Sequence, residues 1–160
     1  MVRPALLLVM GFFVLGPVWS QNPWSAAYQG VCEDWEDESA AAAYLSFCRK
    51  TPATQVTGDE ALGFRAAAEL IFANHGWNPI EQWNTFVEWR DTLEAAIARS
   101  PDSPTLRLVR LGVQGNAPKF LGYYREIDED KARCERAVSD GVWRANPTFE
   151  QFVINTLSEL

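Results

Sequence analysis

Apolar residues recur at helical spacing in several stretches of the chain. The first clear stretch follows Thr57-Gly-Asp-Glu60, a capping box in which the threonine oxygen accepts an N–H of the first turn and the glutamate accepts the threonine N–H. The apolar positions after it are Phe64, Ala68, Ile71 and Phe72. Their spacing of three to four residues predicts an amphipathic helix over about 58–75. Gly76 is placed to end this helix in a left-handed conformation.

Three more helix starts share one device, a capping side chain followed by proline. It occurs at Asn78, Ser103 and Asn146, and proline suits the first helical turn because no partner exists there for an N–H. Another helix is predicted over 128–138, stopped by Gly141. The helix that starts at Asn78 is predicted to run to about residue 100 and to bury Trp83, Phe86, Val87, Leu93, Ala96 and Ile97.

Helical patterns without strand patterns indicate the fold class. Alternating runs of Val, Ile and Thr, which mark strands, are absent from the sequence. Helices joined by short connectors pack as antiparallel neighbours. We therefore expect an all-α fold of antiparallel helical hairpins, arranged as a tetratricopeptide-like bundle or short solenoid. Residues 93–114 resemble the junction between two such repeats, although three copies of a 34-residue period are not found.

The N-terminal segment predicts export. Arg3 is followed by an apolar run from Ala5 to Leu15, a Gly-Pro breaker, and the small residue Ser20 at the expected cleavage point. The run is shorter than the roughly 20 apolar residues that cross a bilayer, so we read residues 1–20 as a signal peptide. Residues 21–160 then form a single domain of a periplasmic or secreted protein, with no membrane span.

The net negative charge of the chain disfavours anionic partners. Without Arg3 the mature chain carries 13 basic and 21 acidic residues, a net charge of −8 with His75 neutral. Nucleic acid and anionic membrane surfaces would repel such a chain at long range, so neither is an expected partner.

The cysteines suggest a crosslink. Cys32 and Cys48 are centred on residue 40, where one short helix is expected to turn back into the next. Residues equidistant from a hairpin turn face each other, and an oxidising compartment would permit a disulfide between them. The alternative of free thiols stays open. Cys134 is expected to be a buried, inert thiol.

The helix predicted after Ser103 presents a polar face. Arg107, Arg110 and Gln114 recur at three- and four-residue intervals and therefore project from one side. Arginine forks in this arrangement can bind an anionic ligand or a partner's carboxylates. The plainer interpretation, which we favour, is that they form interhelical ion pairs with Asp91 and Glu94.

The segment after this helix is a second candidate surface. Asn116-Ala-Pro118 ends the helix, because proline drives the preceding residue towards extended geometry. Phe120, Tyr123 and Tyr124 follow and could line a pocket. A structural loop packed on the core is the commoner outcome for such a segment.

The strings NPIEQWNTF, LEAAI and LRLVRLGVQGNAPKFLGY carry a family resemblance. Together they resemble a group of small, exported, uncharacterised bacterial proteins that are helical and tetratricopeptide-like and share an LRxxRLxxQxNAPxFLGY segment. The resemblance covers residues 77–131, about a third of the chain. It implies a helical, exported protein, and it implies no activity or cofactor.

Catalytic and metal chemistry find little support in the sequence. His75 is the sole histidine, and near a helix end it is best explained as a partner for the last carbonyls. The acidic run 32–38 lacks the alternating ligands and central glycine of a calcium loop, so a solvated helix face is expected there. No metal site, cofactor, nucleophile motif or acid–base pair is predicted.

These observations favour a binding protein. Our first hypothesis is a non-catalytic helical domain that contacts another protein of the cell envelope through the arginine face and the segment after it. The second is a carrier of a small apolar or anionic ligand in a pocket between helices, lined by Trp83, Trp89 and the tyrosines. An enzyme is the third and least supported hypothesis.

Overall fold

A computed structural model of the protein describes residues 22–54 and 56–160, so the predicted signal peptide lies outside the described residues. Within these ranges the chain forms seven α-helices and a 3₁₀ turn, and no strand. The helices are α1 (Pro23–Glu33), α2 (Glu38–Lys50), α3 (Gly58–Ala73), α4 (Pro79–Arg99), α5 (Pro104–Asn116), α6 (Ile127–Ser139) and α7 (Pro147–Glu159), and the 3₁₀ turn is Lys119–Leu121. This confirms the all-α prediction. None of these described helices is both long enough and apolar enough to cross a membrane.

Four helices, α3, α4, α5 and α7, begin at the capping residues that the sequence predicts. Thr57 and Glu60 form both hydrogen bonds of the capping box, at 3.1 and 3.0 Å. The side chains of Asn78, Ser103 and Asn146 each accept an N–H of the turn that they open. Each of these three helices begins on its proline, as expected from the ring's fixed φ angle.

Helix α3 lies at the centre of the bundle and packs against α1, α2, α4 and α5. Consecutive helices are joined by short connectors and pack as antiparallel neighbours. The main apolar core runs between them, with Phe64, Leu93, Leu106, Leu111, Phe149 and Val153 all completely or almost completely buried, and a smaller cluster is formed by Leu70, Phe86 and Tyr123. A Cβ at Gly63 of α3 would clash with the side chain of Leu106, so the glycine allows α5 to approach α3 closely.

Three local predictions are wrong. Gly76 is not left-handed, because positive φ angles occur in the described chain only at Gly122 and Gly141. The last carbonyls of α3 instead accept backbone N–H groups of residues 74–76, and the amide of Gln82 also donates to the carbonyls of Ala73 and Gly76. Phe72 and Trp83, which we expected to be buried, are exposed, because the helical period does not reveal where a helix loses its neighbours.

The possible disulfide between Cys32 and Cys48 is not formed in this structure, which has the alternative that the sequence left open, two free thiols. The turn between α1 and α2 lies at 34–37, so Cys32 is next to the turn, whereas Cys48 is ten residues into α2. Ten residues of helix rise about 15 Å, far beyond the reach of a disulfide. All three thiols are free in the part of the chain that the structure describes, and Cys134 is completely buried as predicted.

Candidate functional site: an aromatic cleft between the helices

The arginines of α5 point into the protein and share one carboxylate. Asp130 of α6 is completely buried and accepts hydrogen bonds from Arg110 Nε at 2.6 Å and Arg110 Nη2 at 2.8 Å. Arg107 Nη1 lies 3.3 Å from the same carboxylate, and Arg107 Nη2 donates to the carbonyl of Pro101 at 3.0 Å. Only 4% of Arg110 is exposed. The two guanidinium groups therefore tie α5 to α6.

Of the two ion-pair partners predicted for the arginines of α5, Glu94 is confirmed and Asp91 is wrong. Arg110 Nη1 lies 2.8 Å from a Glu94 oxygen, as expected, but Asp91 pairs with its neighbour Arg90 on the protein surface. Burial by itself would lower the pKa of Arg110, yet the hydrogen bonds and charges of Asp130 and Glu94 outweigh burial and raise it. The role of Asp130 could not be predicted, because nothing in the local sequence shows that α6 packs against this face of α5.

Gln114 and Tyr123 extend this buried network. Gln114 Nε2 donates to Glu126 at 2.7 Å, while its Oε1 is buried and has no partner among the described residues. Tyr123 donates its hydroxyl proton to Glu94; burial first, and then this carboxylate, raise the pKa of the tyrosine well above its ordinary value. Four of the predicted binding residues, Arg107, Arg110, Gln114 and Tyr123, thus lie inside the fold and lack the exposure that a binding face requires.

Three other predicted residues line a cleft. Asn116, Pro118 and Phe120 border a cavity of about 990 Å³ between α1, α3, α4, α5, α7 and the 3₁₀ turn. Tyr124 is exposed and is not among the residues that line it. The second candidate segment therefore contributes its first half to the cleft, while Tyr123 packs on Phe86 in the core beside it.

The cleft has a buried apolar floor and an exposed aromatic rim. The floor is formed by Tyr28, Ala67, Leu70, Phe86 and Leu108. The rim is formed by Trp35, Trp83 and Phe120, of which Trp83 is 50% and Phe120 86% exposed. Rings that stay in water beside a preformed apolar cavity are available to cover a molecule that enters it.

A glycine on α5 shapes the floor. A Cβ at Gly112 would lie 2.5 Å from the Tyr28 hydroxyl, so the absence of a side chain lets Tyr28 cross α5 at close range. Tyr28 in turn packs against Phe64 and Phe152. This contact brings α1 and α7 to the cleft beside α3 and α5.

Most polar side chains of the lining are occupied by the helices themselves. Asn116 Nδ2 donates to the Gly112 carbonyl at 2.8 Å, and Gln29 Nε2 donates to Glu33 at 2.8 Å. The thiol of Cys32 faces the cleft, but burial, which the Tyr28 hydrogen bond opposes only in part, raises its pKa to about 12 and keeps it protonated. The lining is thus suited to enclosing an apolar molecule.

The surroundings of His75 and of the acidic run 32–38 differ from those predicted. His75 Nε2 lies 3.2 Å from the carbonyl of Trp35, so the imidazole contacts the α1–α2 turn instead of the last carbonyls of its own helix. The acidic run 32–38 spans that turn and forms no continuous helix face. No group of three or more His, Cys, Asp or Glu side chains within 22–54 and 56–160 is arranged to hold a metal ion.

The contributions of α1 and α7 to the cleft were not predicted from the sequence. Tyr28, Trp35 and Phe152 come from the two ends of the described chain, and no motif connects them. The aromatic content of the first 14 described residues is the one signal that could have pointed to them.

Comparison of the chain with protein-family models, curated proteins and solved structures finds no match. The resemblance of residues 77–131 to a group of exported helical proteins therefore stays a prediction. Function has to be inferred from the cleft itself.

Proposed function

We propose that the protein is a non-catalytic carrier that binds a small apolar ligand in the cleft. The observation that carries this proposal is the preformed cavity of about 990 Å³ with a buried apolar floor. Pockets for small molecules measure roughly 300–1,000 Å³ and are lined mainly by apolar and aromatic side chains. Trp83 and Tyr28 line the cavity, whereas Trp89, the other tryptophan that we expected there, does not.

The arginine face of α5 gives little support to the hypothesis of a contact with another protein. A contact with another protein through Arg107 and Arg110 would require side chains that can leave Asp130 and reach the surface. Leaving a buried carboxylate unpaired is strongly unfavourable. We therefore place the binding function in the cleft and assign the two arginines to the scaffold.

A partner protein is the second candidate, and one observation favours it. Trp77 is 99% exposed and Ile80 is 72% exposed, and both lie at the start of α4 next to the rim residue Trp83. Contiguous exposed apolar residues of this kind are typical of protein contacts. We also propose export to the cell envelope, on the basis of the N-terminal sequence alone.

Native mass spectrometry of the protein purified from its own cells tests the proposal. We expect a small molecule to accompany the wild-type protein and to be lost from the rim double variant Trp83→Ala, Phe120→Ala. The matched control is Val142→Ala, Ile154→Ala, which removes exposed apolar side chains that do not line the cleft. A ligand retained equally by both variants would argue against the cleft, and a protein crosslinked at the rim in place of a ligand would favour the second candidate.

A further inference from the structure

All charged side chains on the cleft lining are negative. Among the described residues that form it, the charged ones are Glu33 of α1 and Glu159 of α7, and no lysine or arginine takes part. Lys119 neighbours the lining residues Pro118 and Phe120 in the sequence but does not line the cleft. The side chain of Glu159 has no hydrogen-bond or ion-pair partner in the described part of the chain. Its charge is available to a ligand.

Four helices also present their C-terminal ends to the cleft. The last turns of α1, α3, α5 and α7 all contribute to the lining. The residues are Cys32 and Glu33 in α1, Ile71 and Ala73 in α3, Val113 and Asn116 in α5, and Thr156 and Glu159 in α7. In an antiparallel bundle the odd-numbered helices point the same way, so their ends collect on one side. Each helix C-terminus carries about half a negative charge, and the four contributions have the same sign as the glutamates.

Basic side chains offset the negative C-terminal ends of the other helices, but not those of the four helices that end at the cleft. Helices α2, α4 and α6 carry Arg or Lys in the last turn. The last turns of the described helices α1, α3, α5 and α7 carry no basic residue. The N-termini of α4 and α7, which also reach the cleft through Pro79 and Thr148, have Glu81 and Glu150 in their first turns to offset their positive ends. The negative potential at the cleft is therefore left without a cation from the described protein.

Aromatic rings surround the same space. Trp35, Trp83, Phe86, Phe120 and Tyr28 line the cleft, and the faces of such rings attract cations. The rings also supply apolar area, so an ion with an apolar body can satisfy both features at once. An anion would meet two glutamates, four helix C-termini and ring faces, which repel it and outnumber the two helix N-termini, each already offset by a first-turn glutamate.

We infer that the cleft binds a cationic amphiphile, an apolar chain or ring system that carries an ammonium or similar positive group. The apolar part lies on the floor, and the positive group lies near Glu33 and Glu159. This inference rests on the proposed carrier function and specifies the charge of the ligand. It replaces the anionic ligand that the arginines of α5 had suggested, because those arginines are already paired inside the fold.

Calorimetric titration of the full chain with three probes of equal chain length tests the inference. The probes are octyltrimethylammonium, octanol and octanoate at pH 7, at low salt and again at high salt. We expect the cation to bind at least roughly tenfold more tightly than octanoate, with octanol between them. The preference should shrink at high salt, because exposed charges are screened.

Two double variants identify the source of the preference. Glu33→Gln, Glu159→Gln should lower cation affinity about three- to tenfold while octanol binding stays unchanged. Glu88→Gln, Glu135→Gln is the control, since it removes equal charge from positions that do not line the cleft. All variants should melt at nearly the same temperature, because the four glutamates lie on the protein surface.

The outcomes separate this inference from the function on which it rests. Equal binding of the three probes, or tighter binding of octanoate, would overturn the cationic preference while leaving the carrier function intact. Binding of none of them would count against the carrier function itself. A cation preference that is the same in both double variants would also overturn the assignment to Glu33 and Glu159.

Discussion

Asp130 on α6 accepts two hydrogen bonds from the guanidinium of Arg110 on α5, and no part of the aspartate is exposed to solvent. A buried charge that loses its partner is costly, and the expected loss on breaking such a pair is about 3–5 kcal/mol. We predict that Asp130→Ala lowers the free energy of unfolding by this amount in urea denaturation. Asp128→Ala, on the exposed side of the same helix, should change it little. Equal midpoints for the two variants would show that the network does not stabilise the fold.

The thiols should be unreactive in the folded protein. Burial is the main cause that raises the pKa of Cys32, Cys48 and Cys134 to about 12 in each case. At pH 8 only about one thiol in ten thousand would then be a thiolate, the reactive form. We predict slow labelling by iodoacetamide at pH 8 and rapid labelling of all three thiols in urea. An intact mass two daltons below that of the reduced chain, removed by reductant, would instead reveal a disulfide.

The two left-handed glycines make a matched pair. Gly122 has φ 68° and Gly141 has φ 73°, and alanine is strained at both positions. A Cβ at Gly122 would meet nothing within 4 Å, whereas one at Gly141 would push against the guanidinium of Arg144. Because Arg144 is exposed and can move, we predict that alanine costs about 1–2 kcal/mol at either site in thermal unfolding. A much larger loss at Gly141 would mean that Arg144 is held in place.

Asp59 should make stability depend on pH in the acid range. Hydrogen bonds from Ser100, at 2.7 Å, and from Arg99, at 2.8 Å, lower the pKa of this carboxyl below its ordinary 3.8. A carboxyl with a lowered pKa in the folded state stabilises the protein above the unfolded pKa and loses that effect as pH falls through the folded pKa.

We therefore predict that Asp59→Asn flattens the decline of the melting temperature between about pH 5 and pH 2. Above pH 5 the same variant should be less stable than the wild type. Asp102→Asn, at an exposed position nearby, serves as the control. Parallel pH profiles for the wild type and the Asp59 variant would contradict the prediction.

Local signals predicted the helices well. The capping box at Thr57 and the cap-then-proline pairs at Asn78, Ser103 and Asn146 depend on contacts within a single turn, and all four start helices. The left-handed glycine predicted at the end of α3 was wrong, since the N–H groups of residues 74–76 and the Gln82 side chain of the next helix satisfy the last carbonyls. A helix end that depends on another element cannot be read from its own residues.

The cleft was harder to predict, because its walls come from distant parts of the chain. The segment Asn116–Phe120 was identified, but its partners Tyr28 and Phe152 become neighbours only when α1 and α7 pack together. The same limit explains the arginines of α5. Their spacing showed that they share a face, and only the position of α6 shows that Asp130 lies opposite that face.

Two pairs of tryptophans in the described chain occupy very different surroundings. Trp24 and Trp143 are almost completely buried, whereas Trp35 and Trp83 stand half in water on the rim of the cleft. Indole emission shifts to shorter wavelengths when water is removed from the ring. The protein therefore carries its own optical reporter: occupancy of the cleft would shift the emission of Trp35 and Trp83, over a constant long-wavelength signal from Trp77, which is 99% exposed and does not line the cleft.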